Sequence, residues 1–119
     1  MKYDRKITDR TFDFAVEIVN LCSKLEKESV VAKIVLTQLV RSATSVGANI
    51  EEAQAPQSRK DFIHKASISL KEARETLYWL KILKSSELKK INNIDGLINE
   101  ADEIVSVLTI MIRNAKGRL

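Results

Sequence analysis

Three Gly and one Pro in 119 residues leave this chain nearly without the residues that turn a backbone sharply. Sandwiches, barrels and other turn-rich all-β folds need many such positions, so the scarcity excludes them and favours long helices with few connections. Apolar residues make up 45% and charged residues 30%, the balance of a folded chain rather than a disordered one. The length suits one domain, taken as residues 1–119. A single cysteine, Cys22, excludes an intrachain disulfide framework and any multi-Cys metal site.

Hydrophobic periodicity predicts four helices. In the first, from about Asp9 to Glu28, Phe14, Ile18, Leu21 and Leu25 follow four-three-four spacing, and Phe12, Ala15, Val19 and Cys22 widen that row. Asp9 or Thr11 is the expected cap. Cys22 falls on the apolar side, where a buried structural thiol is expected over a reactive one. The second helix runs from about Val30 to Ala55, with Leu36, Leu39, Val40, Ala43, Val46, Gly47 and Ile50 on its core face, and Pro56 forbids easy continuation. Its middle, Ser42 to Asn49, is nearly all small residues. Gly47 inside it costs about 0.5–1 kcal/mol relative to Ala, which close approach by a neighbouring helix would offset.

The third helix opens at Ser58, a good N-cap, and reaches about Lys84. Ile63, Ala66, Leu70, Ala73, Leu77 and Leu80 repeat at three-four spacing. A short connection follows, with one helical turn expected at Glu87–Ile91. The fourth helix runs from about Ile94 to Asn114, with rows Leu97, Ala101, Ile104, Leu108, Met111 and Ile98, Val105, Ile112, and Val107 and Ile110 widening the apolar arc. Gly96 is the misfit near its start, and Gly117 falls where a helix end is expected. Such helices on short loops bury their stripes best as an antiparallel four-helix bundle. The apolar arc of the fourth helix and the small-residue patch of the second exceed what one bundle needs, which points to self-association.

Met1 to Lys6 lacks the apolar core of a signal peptide, and no apolar run approaches the ~20 residues that span a bilayer. No membrane association is expected, and a cytoplasmic protein is.

Chemical motifs are mostly wanting. The one histidine, His64, has no second His or Cys at ligand spacing, and Asp61–His64 reads as a solvated helix-start pair. The Glu-x-x-His pairs of di-iron bundles are missing. The glycines at 47, 96 and 117 form no phosphate loop, and Ser42 and Ser45 lack a base. The expectation is a protein that is not an enzyme and holds no metal or cofactor.

Two polar features remain. Gln38, Arg41, Ser45, Asn49 and Glu52 cluster beside the core stripe of the second helix, either as a plain polar flank or as a structural network or subunit contact. Arg41 and Glu52 lie about three turns apart, so each needs a partner elsewhere. Glu72, at the edge of the third helix's core, should be paired if buried, with Arg41 the natural partner and Arg74 the solvent-side alternative. Arg41, Asn49, Glu52 and Glu72 are therefore assigned to a structural polar network.

The second feature is charge. The chain carries +4, and residues 58–91 alone carry +5, with nine basic and four acidic groups. Lys60, His64, Lys71, Arg74, Tyr78 and Lys81 share one side of the third helix, with Glu75 interrupting the edge. A basic stripe with a Tyr is what a phosphate-backbone binder shows, and also what many solvated helix faces show. Lys60, Lys71, Arg74, Lys81, Lys84, Lys89 and Lys90 are the candidate phosphate contacts.

The run Leu39-Val40-Arg41-Ser42-Ala43-Thr44-Ser45-Val46-Gly47-Ala48-Asn49-Ile50-Glu51-Glu52-Ala53 resembles the signature of a bacterial four-helix-bundle family. That family is named for proteins encoded within intervening sequences of large-subunit ribosomal RNA genes. Ser69-Leu70-Lys71-Glu72-Ala73-Arg74-Glu75-Thr76-Leu77-Tyr78-Trp79-Leu80 is similar to its second common stretch. The family's Arg-Ser, Ala-Asn-Ile and Glu positions map onto Arg41, Ser42, Ala48, Asn49, Ile50 and Glu52, and its helix-three Glu onto Glu72. Many members have Pro where Gly47 stands here.

The resemblance implies an antiparallel four-helix bundle assembling into a homopentamer. The chain is also similar to the accessory protein of diversity-generating retroelements, a basic pentamer that binds nucleic acid and a reverse transcriptase. For most of the family no activity is established. The expected function is a homo-oligomeric scaffold that binds structured RNA, or an RNA–protein partner, through the basic third helix. The alternative is a protein-interaction module with no nucleic-acid role.

Overall fold

The computed structural model describes residues 6–25, 29–86 and 91–117. These form four helices and no strand: α1 (Ile7–Lys24), α2 (Val30–Ala53), α3 (Arg59–Ser85) and α4 (Ile94–Gly117). Consecutive helices pack against one another, and α1 also touches α4.

Helix boundaries follow local chemistry. The Ser29 hydroxyl accepts the Ala32 N–H at the start of α2, and the Ser58 hydroxyl accepts the Asp61 N–H at the start of α3. Pro56 follows closely on the end of α2, which comes at Ala53, two residues before the predicted boundary. At α1 the prediction fails. The helix starts at Ile7 after Lys6, which makes no side-chain cap; Asp9 sits in the first turn instead, and Thr11 is already inside the helix, its hydroxyl donating to the Thr8 carbonyl. The helix ends at Lys24 rather than Glu28, which lies outside the described residues, as does the expected turn from Glu87 up to its last residue, Ile91. α4 runs past Asn114 to Gly117.

Before α4, Asn93 takes a left-handed φ of 64°, which Asn tolerates better than most residues, and its carbonyl accepts the Leu97 N–H. A Cβ on Gly96 would collide with the Asn93 side chain. The misfit glycine thus leaves room for the Asn93 side-chain amide at the helix start.

The core is a set of three-four rows. α1 contributes Thr11, Phe14, Ile18 and Cys22; α2 contributes Ala32, Leu36, Leu39, Ala43, Val46, Ile50 and Ala53; α4 contributes Leu97, Ala101, Ile104, Leu108, Ile112 and Ala115. On α3 the buried row is Ala66, Ser69, Ala73, Thr76, Leu80 and Leu83. Ile63, Leu70 and Leu77, predicted to be central there, pack only partly buried against it. Phe12 and Val19, expected to widen the core of α1, are exposed instead.

Arg10 is buried beside Thr11, only 3% exposed, and joins α1 to α4. Its Nη2 lies 2.7 Å from Glu100 Oε1, its Nε donates to Glu100 Oε2 at 3.2 Å, and Glu103 Oε2 is 3.6 Å away. A buried guanidinium is tolerable when paired and bidentate in this way.

Candidate functional site

Small side chains on α2 and α3 let the two helices approach, and buried hydroxyls stitch the contact. The Ser42 and Thr76 hydroxyls lie 2.8 Å apart, each also within reach of its own helix's carbonyls, Leu39 O at 3.3 Å and Glu72 O at 2.8 Å. Ser69 Oγ donates to the Val46 carbonyl at 2.7 Å. Ser42, Ser69 and Thr76 are fully buried, and bonding to helix carbonyls is what makes a buried hydroxyl affordable. Farther along, Lys65 Nζ meets Glu52 Oε2 at 2.9 Å; the hydrogen bond to Glu52 and its charge hold the Lys65 ammonium above the usual lysine range. In these pairs residue numbers fall along α2 as they rise along α3.

At the solvent edge of this seam, Arg41 Nη1 donates to Glu72 Oε2 at 3.0 Å, its Nη2 pairs with Glu75, and its Nε donates to Gln38 Oε1 at 2.9 Å. Trp79 Nε1 donates to the same Glu75 carboxylate at 3.0 Å. Glu72 is 13% exposed and Arg41 46%, so the pair sits at a wet boundary and not inside the core. Of the four residues assigned to one network, the structure brings Arg41 and Glu72 together. Glu52 pairs separately with Lys65, and Asn49 turns back on its own helix, donating to Ser45 O and Oγ. Glu75 and Trp79 complete the cluster around Arg41, and Arg10 forms a second polar site on α1. The sequence reading missed all three roles.

The candidate phosphate contacts lie on the far side of α3. At 100° per residue, Lys60, His64, Lys71, Arg74, Tyr78 and Lys81 centre almost opposite the buried row. All six are exposed. Among the described residues, Lys60, Lys71, Arg74 and Lys81 make no ion pair, while α3 carries seven basic and three acidic side chains. Lys84 departs from the group: it lies about a third of a turn away, toward α4, with its Nζ 2.6 Å from Asp95 Oδ1. Lys89 and Lys90 lie outside the described residues.

A third feature is apolar. Phe12, Ala15, Val16 and Val19 of α1 and Thr44, Gly47 and Ala48 of α2 line an open groove of about 390 Å³. Phe12 is 62% exposed there. Near the other end of α2, Val30, Val31 and Ile34 are exposed as well. Gly47 faces the α1 backbone, with the Thr11 carbonyl oxygen 3.6 Å from where a Cβ would sit, so the helices come close but would admit an alanine. Cys22 is buried, and burial pushes its thiol up to about 11. Among the described residues no group of three His, Cys, Asp or Glu side chains could hold a metal ion, and no helix is long and apolar enough to cross a membrane.

Comparison with known proteins adds two findings. The family model described as 23S rRNA-intervening sequence protein matches residues 3–110. A crystal structure at 1.70 Å of a protein of unknown function from the S23 ribosomal protein family of Bacteroides thetaiotaomicron is similar, at 43% sequence identity. The likeness covers 90% of this chain and 98% of that one, with a TM-score of 0.80. No curated protein matches significantly.

Proposed function

The chain belongs to the 23S rRNA-intervening sequence protein family, and from that premise we propose that it is a cytoplasmic, non-enzymatic scaffold: an antiparallel up-and-down bundle, homopentameric, that binds structured RNA through the outer face of α3. The observation that carries the RNA reading is the row Lys60, Lys71, Arg74 and Lys81, exposed and without ion pairs among the described residues. Cations aligned on one face can take the place of the counterions condensed along a nucleic-acid backbone, and release of those ions drives binding. Repetition of the row in a ring would add weak contacts into a strong one.

The assembly part rests on α2. Its outward row Val30, Ile34, Thr37, Arg41, Thr44, Ala48 and Glu51 adjoins the α1 groove, and between Val30 and Ile50 only Lys33 and Arg41 carry charge. A solvent-facing helix usually carries far more, and a sister copy is the cover such a surface suits. The same surface favours the second reading, a protein-interaction module without RNA.

Titration of the purified protein with a fluorescent structured RNA at several salt concentrations tests the proposal. Affinity should fall steeply with salt, and Lys71→Glu with Lys81→Glu should abolish it. Undiminished binding by that double variant contradicts the assignment to α3, and no binding by the native protein leaves the interaction-module reading.

A further inference from the structure

The shape of the α3 face narrows the class of RNA, an inference that rests on the RNA reading above. Lys60 and Lys81 are 21 positions apart on one uninterrupted helix, a straight separation of about 32 Å, with Lys71 and Arg74 between them. The cations occupy about a quarter of the helix circumference, on its solvent-facing side. Proteins that hold single strands without base readout use grooves lined by several stacking rings. Here the exposed ring on the stripe is Tyr78. Its neighbour Trp79 meets it edge-on, centroids 5.4 Å apart, and is tied by its Nε1 to Glu75, away from any stack of bases. The face also lacks the amide side chains that read adenine edges: its exposed polar members are Lys, Arg, His and Tyr, beside a half-buried Ser67, groups that can all reach phosphates and sugar hydroxyls.

We propose that this face recognises double-stranded RNA by its backbone, α3 lying as a rigid cationic rod across the phosphates that border the wide, shallow minor groove. A-form duplexes offer regularly spaced phosphates and 2′-hydroxyls there and are recognised by shape. A single strand, flexible and in need of stacking partners, gains little from a straight solvent-facing row. Tyr78 supplies a hydroxyl at sugar level, between Arg74 and Lys81.

The test is fluorescence anisotropy with a labelled RNA duplex of about 20 base pairs, its two separated strands chosen to be unstructured, and a duplex of scrambled sequence. The duplex should bind at least about tenfold more tightly than either strand, with the two duplexes nearly equal, and log affinity should fall with log salt at a slope of about −3 to −4, as four phosphate contacts require. Lys71→Gln with Lys81→Gln should shallow that slope by about two, with the helical circular dichroism unchanged. Equal or tighter binding of the single strands overturns the duplex assignment and leaves the RNA reading standing. A preference of more than about tenfold between the two duplexes overturns backbone recognition. Binding to neither form overturns both.

Discussion

Arg10 Nη2 lies 2.7 Å from Glu100 Oε1, joining residues ninety positions apart and fastening α1 to α4. The helix that forms one wall of the apolar groove is thus held from behind by an ion pair whose guanidinium is buried.

Removing Arg10 takes the bidentate donor from Glu100 and empties the buried space that the guanidinium fills. Arg10→Ala should lower the unfolding free energy by about 3 kcal/mol, and Arg10→Met with Glu100→Gln should recover much of that, since an apolar side chain refills the buried space beside a neutral amide. Urea denaturation of both variants checks this; a loss below about 0.5 kcal/mol for Arg10→Ala would make the pair a bystander.

At the α2/α3 seam, side-chain size should matter more than the hydroxyl. Ser42→Ala leaves Thr76 its bond to the Glu72 carbonyl and should cost about 1 kcal/mol. Ser42→Leu forces three extra carbons into a fully buried contact and should cost about 3 kcal/mol or prevent folding. Thermal denaturation of the two variants gives the order, and equal losses would refute the close-packing account.

Gly47→Ala should stabilise the fold by about 0.5–1 kcal/mol, because the added methyl finds ordinary contact distance to Thr11 and the helix gains propensity. Chemical denaturation measures it, and destabilisation would show that the α1/α2 approach is tighter than 3.6 Å implies.

Cys22 predicts an alkaline effect. Burial raises its pKa in the folded protein from 9.0 to about 11, so the neutral thiol is favoured there. The stabilisation is present in full below pH 9 and is lost as pH rises through 11. Unfolding free energy measured from pH 8 to 11 should fall more steeply for the native chain than for Cys22→Ala. Parallel curves would mean that the thiol titrates freely in the folded state.

What could be read from the sequence depended on how each group is buried. Ser58 and Pro56 mark the α2–α3 junction because capping and ring chemistry act locally. The α3 core row was half hidden. Ser69 and Thr76 look polar, but their hydroxyls bond to backbone or to each other and disappear into the seam, which shifts the true row off Ile63, Leu70 and Leu77. Arg10 was unreadable for a different reason. Its burial depends on Glu100, far along the chain, and nothing around residue 10 announces that partner. The pairing of Arg41 with Glu72 was accessible because both flank stripes that must face each other. The turn of Asn49 back onto Ser45 was not, since an amide can satisfy itself within its own helix.

Sister-copy contact through the α1 groove and outer α2 is the claim on which the scaffold stands, and sedimentation equilibrium of the native chain beside Phe12→Glu with Val16→Glu tests it most directly. The protomer is 13.5 kDa. The native chain should sediment at about five times that mass, as a ring of sister copies requires, and the double variant as a folded single protomer. A native chain that sediments as one well-folded protomer at micromolar concentration would contradict it.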